Sequence, residues 1–243
     1  NWNKAATAIT TTDTFPKGAS EVALIGNKKI QITGIAKGSG MIAPDMATML
    51  SFIFTDANIP SNILQTLLSR NVQNTFNAIT VDSDASTSDT LLLFATGAAK
   101  SVVPTSADDS VLKDFESALQ SVMLNLAKQI VCDGEGAQKL IQVDVTGATS
   151  KKSAHKIGLA IANSPLVKTA IAGGDANWGR VVMAVGKSGE KANANSISVC
   201  FGKTTIAEKG AVVEGYDEAP VTEHLQGREI HLAVDVGLGN GES

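Results

Sequence analysis

The stretch from Ser106 to Gly134 constrains this chain most. It places Leu112, Phe115, Leu119, Val122, Met123, Leu126 and Ile130 at the three- and four-residue spacing that puts apolar side chains on one helical face. Asp108 and Asp109 fall in the expected first turn and Gly134 at the expected stop, so the pattern predicts a helix across the whole stretch. A stripe of that length has to be buried, and the neighbouring segments supply sheets to bury it. Val22 to Ile25 and Lys29 to Thr33 read as a hairpin, because Gly26-Asn27 tolerates the positive φ of a two-residue turn. A Gly-rich loop, Gly34 to Gly40, follows. Thr48 to Phe54 and Leu91 to Ala95 read as strands, and Leu64, Leu67, Leu68 and Val72 mark a helix from Ser61. Further on, Lys139 to Thr146, Arg180 to Val185, Ile197 to Phe201, Thr204 to Ile206, Ala211 to Val213 and Ile230 to Val236 read as strands. Ser153 to Ala172 reads as helix interrupted at Pro165. Amphipathic helices among short strands predict an α/β (α+β) chain of layered mixed sheets covered by helices.

Composition excludes several function classes. With 43% hydrophobic and 18% charged residues in 243, the chain is too apolar for disorder and long enough for one or two domains. A net charge of −4 and 4% aromatic residues offer neither a basic footprint nor stacking platforms, so no nucleic-acid partner is expected. The longest apolar runs, such as Leu91 to Ala95, fall far short of the roughly 20 residues that span a bilayer, so no membrane partner is expected either. Cys132 and Cys200 cannot form a disulfide framework and belong to no Cys/His cluster, so both read as reduced packing thiols in a cytoplasmic protein. The absence of an initiator Met and the loop-like Gly239 to Ser243 predict that both ends are cuts in a longer protein.

Common catalytic motifs are weak or missing. Gly38-Ser39-Gly40-Met41-Ile42-Ala43 fits GxGxxA, but Pro44 opposes a smooth helix start and no acidic residue is suitably placed downstream. Ser153-Ala154-His155-Lys156 matches SxxK without its companion motifs. His155, His224 and His231 are scattered, which gives a His-centred triad or a zinc site little support. The segment from Lys37 to Leu50 is more unusual. A Gly-rich loop and Pro44 precede small Ala47, joined to Thr48 at the start of an apolar strand. Cleavage of Ala47–Thr48 would free an α-amine of pKa about 8, able to serve as base for the hydroxyl of the same residue. On residues alone the segment also reads as an ordinary loop entering a strand.

Longer blocks carry a resemblance. Thr11-Thr12-Asp13-Thr14-Phe15-Pro16-Lys17, Ala36 through Leu50, Thr55-Asp56-Ala57, Val81 through Asp89, Asp133-Gly134-Glu135-Gly136-Ala137 and Gly173 through Arg180 closely resemble, in order, the ornithine acetyltransferase family. Its members are also called bifunctional glutamate N-acetyltransferases of arginine biosynthesis. The resemblance covers essentially the whole chain and corresponds to the middle and most of the second half of that family.

The resemblance implies an N-terminal-nucleophile-like architecture of the ornithine acetyltransferase/aminopeptidase type. It implies a precursor that cleaves itself at Ala47–Thr48, so that residues 1–47 are the tail of an α chain and residues 48–243 belong to a β chain, associated as an α2β2 heterotetramer. The implied reaction is ping-pong: Thr48 takes acetyl from N-acetylornithine and passes it to glutamate, with acetyl-CoA an alternative donor in some members. Thr14, Lys37, Thr48 and Glu135 match substrate-binding positions, and no metal or bound cofactor is implied. Lys37, read as lying in the flexible Gly-rich loop, suits a substrate carboxylate, and Glu135 suits the amino groups of ornithine. Asp82 and Asp84 read as Asx turns and caps. The Gly173 to Arg180 block reads as shaping the site through tight turns. The implied location is the cytoplasm, or the mitochondrial matrix in a eukaryote. In the family an upstream Thr-Gly pair supplies the oxyanion hole and a C-terminal Asn segment helps to bind substrate. Neither lies in these 243 residues, so this stretch alone is expected to be nearly inactive. The competing readings are an amidase or aminopeptidase of related fold, and a noncatalytic domain.

Overall fold

The computed structural model describes residues 1–43, 49–84 and 86–243. They form two compact units, Asn1–Glu135 and Gly136–Ser243. In the first unit the order is α1 (Trp2–Ala8), β1 (Lys17–Ile25), β2 (Lys28–Lys37), β3 (Leu50–Thr55), α2 (Ser61–Val72), β4 (Thr90–Ala95) and α3 (Lys113–Cys132). The strands make one sheet in the order β1-β2-β3-β4, antiparallel except for parallel β3 and β4.

The hairpin forms where the sequence places it. Ile25 pairs with Lys28 across the turn, and Gly26 takes φ +59°. Both strands run longer than the apolar pattern suggests, and β2 absorbs Gly34 through Lys37. The Gly-rich loop therefore begins only at Gly38. Gly34 is a strand residue because α3 packs tightly on β2 there. A Cβ at Gly34 would lie 2.7 Å from Leu126 Cδ1 and 3.2 Å from both Ile53 Cγ1 and Val122 Cγ1. Gly34→Ala is accordingly expected to lower stability by about 1–3 kcal/mol by overpacking, read as a reduced urea midpoint at unchanged slope.

Helix α3 buries Phe115, Leu119, Val122, Met123, Leu126, Ala127 and Ile130, the stripe seen in the sequence. Its start differs. Asp109 accepts from Val111 N at 3.2 Å and from Thr105 N at 3.2 Å, which closes a 3₁₀ turn over Ser110–Leu112 and delays the helix to Lys113. On the other face of the sheet, Phe54 stacks with Phe94 at 5.0 Å and meets Trp2 of α1 at 5.3 Å.

The second unit runs β5 (Leu140–Thr146), α4 (Lys151–Ala162), α5 (Pro165–Ala172), α6 (Trp178–Lys187), β6 (Ser198–Phe201), β7 (Thr204–Glu208), β8 (Ala211–Val212), α7 (Ala219–Gln226) and β9 (Glu229–Asp235). Its sheet has the order β5-β9-β6-β7-β8, with β5 and β9 parallel and the other pairs antiparallel. Pro165 opens α5 at the predicted break, after Ser164, whose hydroxyl accepts from Val167 N. Arg180 to Val185, expected as a strand, is helical instead. Asn177 caps Arg180 N at 3.2 Å, and Val181, Ala184 and Val185 recur at helical spacing on the buried side, which outweighs the β-branched content. The Lys139 ammonium donates to the carbonyls of Ile171 (2.8 Å) and Leu225 (2.5 Å), near the C-terminal ends of α5 and α7, where a cation complements the helix dipole.

Neither cysteine is in a disulfide; Cys200 is half-buried, but Cys132, at the end of α3, is exposed and is not the packing thiol the sequence suggested. Among the described residues, no helix is long and apolar enough to cross a membrane.

Candidate active site

The site lies within the first unit, where three chain segments converge: Thr11 to Thr14 ahead of β1, Lys37 to Ile42 from the end of β2, and Asp133 to Glu135 beyond α3. Between them is a cleft of about 410 Å³ whose lining includes Thr11, Thr12, Lys37, Ser39, Asp82 and Glu135. That volume suits an amino-acid-sized ligand.

Lys37 is the last residue of β2 rather than part of a flexible loop: it pairs with Leu50 of β3 and is only 7% exposed. Among the described residues, its ammonium meets one partner, the Thr11 hydroxyl at 3.4 Å, and no carboxylate. A buried cation without a counter-ion, opening on a cleft, favours a ligand carboxylate. Glu135 is exposed, and its carboxylate lies over Gly40, where a Cβ would come within 3.0 Å of Oε1. Its backbone N–H donates to Ser39 O at 3.1 Å. The chain thus offers a cation for an anionic group and an exposed carboxylate for an ammonium.

Asp82 behaves as the cap the sequence suggests. It accepts from Met41 N (2.7 Å), Ile42 N (3.1 Å) and Asp84 N (3.1 Å), and it holds Met41 at a φ of +51°, uncommon for a residue with a side chain. Thr14 donates its hydroxyl and its backbone N–H, the latter at 3.0 Å, to the Asp133 carboxylate. Ala47 and Thr48, the expected cleavage pair, lie outside the described residues, as does Ala85 of the Val81 to Asp89 block. The chain on either side is anchored, by Asp82 at Ile42 and by Asp89, which accepts from Met49 N at 2.7 Å. The division into units at Glu135 is one of packing. The expected chain boundary after Ala47 falls inside the first unit, between the paired strands β2 and β3.

Sequence reasoning missed what lies behind the cleft. The Lys17 ammonium is fully buried, 2.6 Å from Asp13 Oδ1 and 2.6 Å from Asp133 Oδ2. Burial alone would raise both carboxyls. Hydrogen bonds from Lys17 outweigh it, together with those from Gly38 N and Thr11 N at Asp13 and from Thr14 at Asp133, so both stay below the ordinary 3.8. A depressed folded-state pKa stabilises the fold above the unfolded value and is lost as pH falls through the folded one. The thermal midpoint is therefore expected to fall as pH drops below about 4, and Asp133→Asn should flatten that dependence in a melting series.

The histidines are less scattered than they read. His231 N–H donates to His224 Nε2 at 3.0 Å, and its Nε2 lies 2.5 Å from Asp144. That His–Asp pair is well exposed, and among the described residues no nucleophilic side chain is bonded to it. Among the described residues, no group of three or more His, Cys, Asp or Glu could hold a metal ion.

Fold and cleft together define a mixed α/β protein with a polar, amino-acid-sized cleft that carries both a cation and a carboxylate. The ArgJ family model matches residues 1–243, and the chain belongs to the ArgJ family. It is 58% identical over 242 residues to the arginine biosynthesis bifunctional protein ArgJ of Gluconobacter oxydans (strain 621H), matching all of this chain and 57% of that protein. It is 56% identical over 245 residues to the protein of the same name from Brucella suis biovar 1, again matching all of this chain and 59% of the relative. The chain therefore spans less than two thirds of the length of the curated relatives it matches. The crystal structure of the arginine biosynthesis bifunctional protein ArgJ from Bacillus halodurans superposes with a TM-score of 0.77 at 42% identity, covering 81% of this chain and 92% of that one. The architecture implied by the sequence blocks is thus the one observed.

Proposed function

We propose that this chain forms the greater part of a glutamate N-acetyltransferase that moves acetyl from N-acetylornithine to glutamate in arginine biosynthesis. The observation that carries the reading is Lys37: a buried cation at the cleft, paired across the sheet with Leu50, two positions beyond Thr48 in the chain. The bifunctional ArgJ relatives support it, as does the order of the motif blocks.

In the proposed reaction the precursor first cleaves Ala47–Thr48, making residues 1–47 the α-chain tail and Thr48 the first residue of β. The Thr48 hydroxyl then attacks the acetyl carbonyl of N-acetylornithine, and its proton passes to the Thr48 α-amine. Collapse of the tetrahedral intermediate breaks the amide bond, ornithine leaves with that proton, and acetyl remains on Thr48 as an ester. The amine of glutamate attacks the ester, the amide forms, and the proton returns to Thr48. Lys37 binds the α-carboxylate that donor and acceptor share. Glu135 binds the ornithine side-chain ammonium, and Thr14 borders the substrate from the Asp133 side. The same ester can be loaded from acetyl-CoA, which makes that thioester a second donor. The assembly is an α2β2 heterotetramer of the cytoplasm.

The test is to capture the ester. Full-length precursor given N-acetylornithine without glutamate and quenched in acid should show the Thr48 peptide heavier by one acetyl group, and glutamate should remove it. A Thr48 peptide that stays unmodified while ornithine is released refutes the nucleophile assignment.

A further inference from the structure

The mechanism makes no use of three buried charges in the first unit. Lys17, Asp13 and Asp133 have side chains between 0 and 2% exposed, so none of them meets a ligand in the cleft. Burying three charges is a poor route to stability, since apolar side chains of similar volume generally serve at least as well. What this group does, and an apolar cluster cannot, is fix backbone. Asp13 accepts from Thr11 N (3.1 Å) and Gly38 N (2.7 Å), holding the Thr11 segment to the residue that follows Lys37. Asp133 accepts from Thr14, and its own carbonyl accepts the Ser39 hydroxyl at 2.7 Å. Ser39 O in turn accepts from Glu135 N at 3.1 Å. One ammonium, 2.6 Å from each carboxylate, therefore ties together the Thr11, Lys37 and Glu135 segments of the cleft, to which Asp82 adds a fourth wall. The β1–β2 register adds to this, because Lys17 lies opposite Ala36, next to Lys37.

We propose that Lys17, Asp13 and Asp133 are positioning residues, which set the separation between the cation of Lys37 and the carboxylate of Glu135 without touching substrate. The inference rests on the acetyltransfer reading, since that reading requires the ornithine donor to be held at both ends, its carboxylate by Lys37 and its side-chain ammonium by Glu135. The second negative charge is balanced by the N–H donors of Thr11, Gly38 and Thr14, so the two carboxylates need only one ammonium.

Two substitutions in the full-length precursor test it. Asp13→Asn keeps the shape but exchanges an acceptor oxygen for an NH₂ group, so the side chain can no longer accept from Thr11 N, Gly38 N and Lys17 together. Ser39→Ala removes only the hydroxyl that joins the loop to Asp133. In folded enzyme each variant is expected to raise KM for N-acetylornithine about 10-fold, and to speed amide exchange at Gly38 or Glu135. A purely structural role would lower the melting temperature and leave KM of the folded fraction unchanged. Wild-type KM, within about twofold, in both folded variants overturns the proposal, and Ser39→Ala decides alone if Asp13→Asn does not fold. Should wild-type enzyme transfer no acetyl, the functional reading fails, and exchange at the two amides decides the positioning claim: unchanged protection in the variants refutes it.

Discussion

Thr48→Ala is expected to leave the full-length precursor as a single uncut chain and to lower kcat/KM for acetyl transfer by about 10⁴-fold or more. One substitution should remove both functions because, in the proposed reaction, both use the same oxygen: the Thr48 hydroxyl would attack the Ala47 carbonyl in maturation and the acetyl carbonyl in turnover, with the α-amine freed by the first reaction as its base. Thr48→Ser retains the hydroxyl and should still cleave and turn over, more slowly. Intact-mass analysis reads the first effect and an ornithine-release assay the second. A Thr48→Ala enzyme that is cut, or that turns over at the wild-type rate, contradicts the assignment.

Lys37→Met should reduce kcat/KM for N-acetylornithine roughly 10²-fold. The side chain is buried beside the cleft with only the Thr11 hydroxyl at 3.4 Å, so the substrate carboxylate would be its one ionic partner among the described residues. Losing one half of such a pair typically costs about 2–5 kcal/mol, part of which is the other charge left unpaired. The pairing itself is tested by a donor that lacks the α-carboxylate, the decarboxylated analogue N-acetylputrescine. Wild type should use it poorly, and Lys37→Met should use it no worse than wild type does. A further loss of about 10²-fold on the analogue would show that Lys37 acts elsewhere than on the carboxylate.

What the sequence could reveal followed the range of the interaction. The stripe from Leu112 to Ile130 and the Gly26-Asn27 turn are set by neighbours a few residues apart, and both appear in the fold where the pattern puts them. The helix starts at Lys113 rather than near Ser106 because Asp109, which by position reads as a first-turn acid, instead bonds Thr105 and Val111 and closes a 3₁₀ turn ahead of it. Val181, Val182 and Val185 favour a strand locally, yet the Asn177 cap and burial of one face make them helical. Lys37 reads as a loop residue because glycines surround it, and pairing with Leu50 makes it the last residue of a strand.

The buried triad had no local signal. Lys17 and Asp133 are 116 positions apart, and the Asp13/Lys17 spacing, which on a helix would suggest an ion pair, occurs here outside any helix. The candidate substrate residues came from motif resemblance rather than from periodicity or charge. The structure gives two of them a physical setting, Lys37 as a buried cation and Glu135 as an exposed carboxylate, and binds the Thr14 hydroxyl to Asp133.

The most direct measurement is the fate of the acetyl group when full-length enzyme is given acetyl-labelled N-acetylornithine with and without glutamate. The account predicts that sustained ornithine release requires glutamate and that the label appears in N-acetylglutamate. Steady release of labelled acetate at a rate unaffected by glutamate would make water the acceptor, and the protein an amidase rather than a transferase.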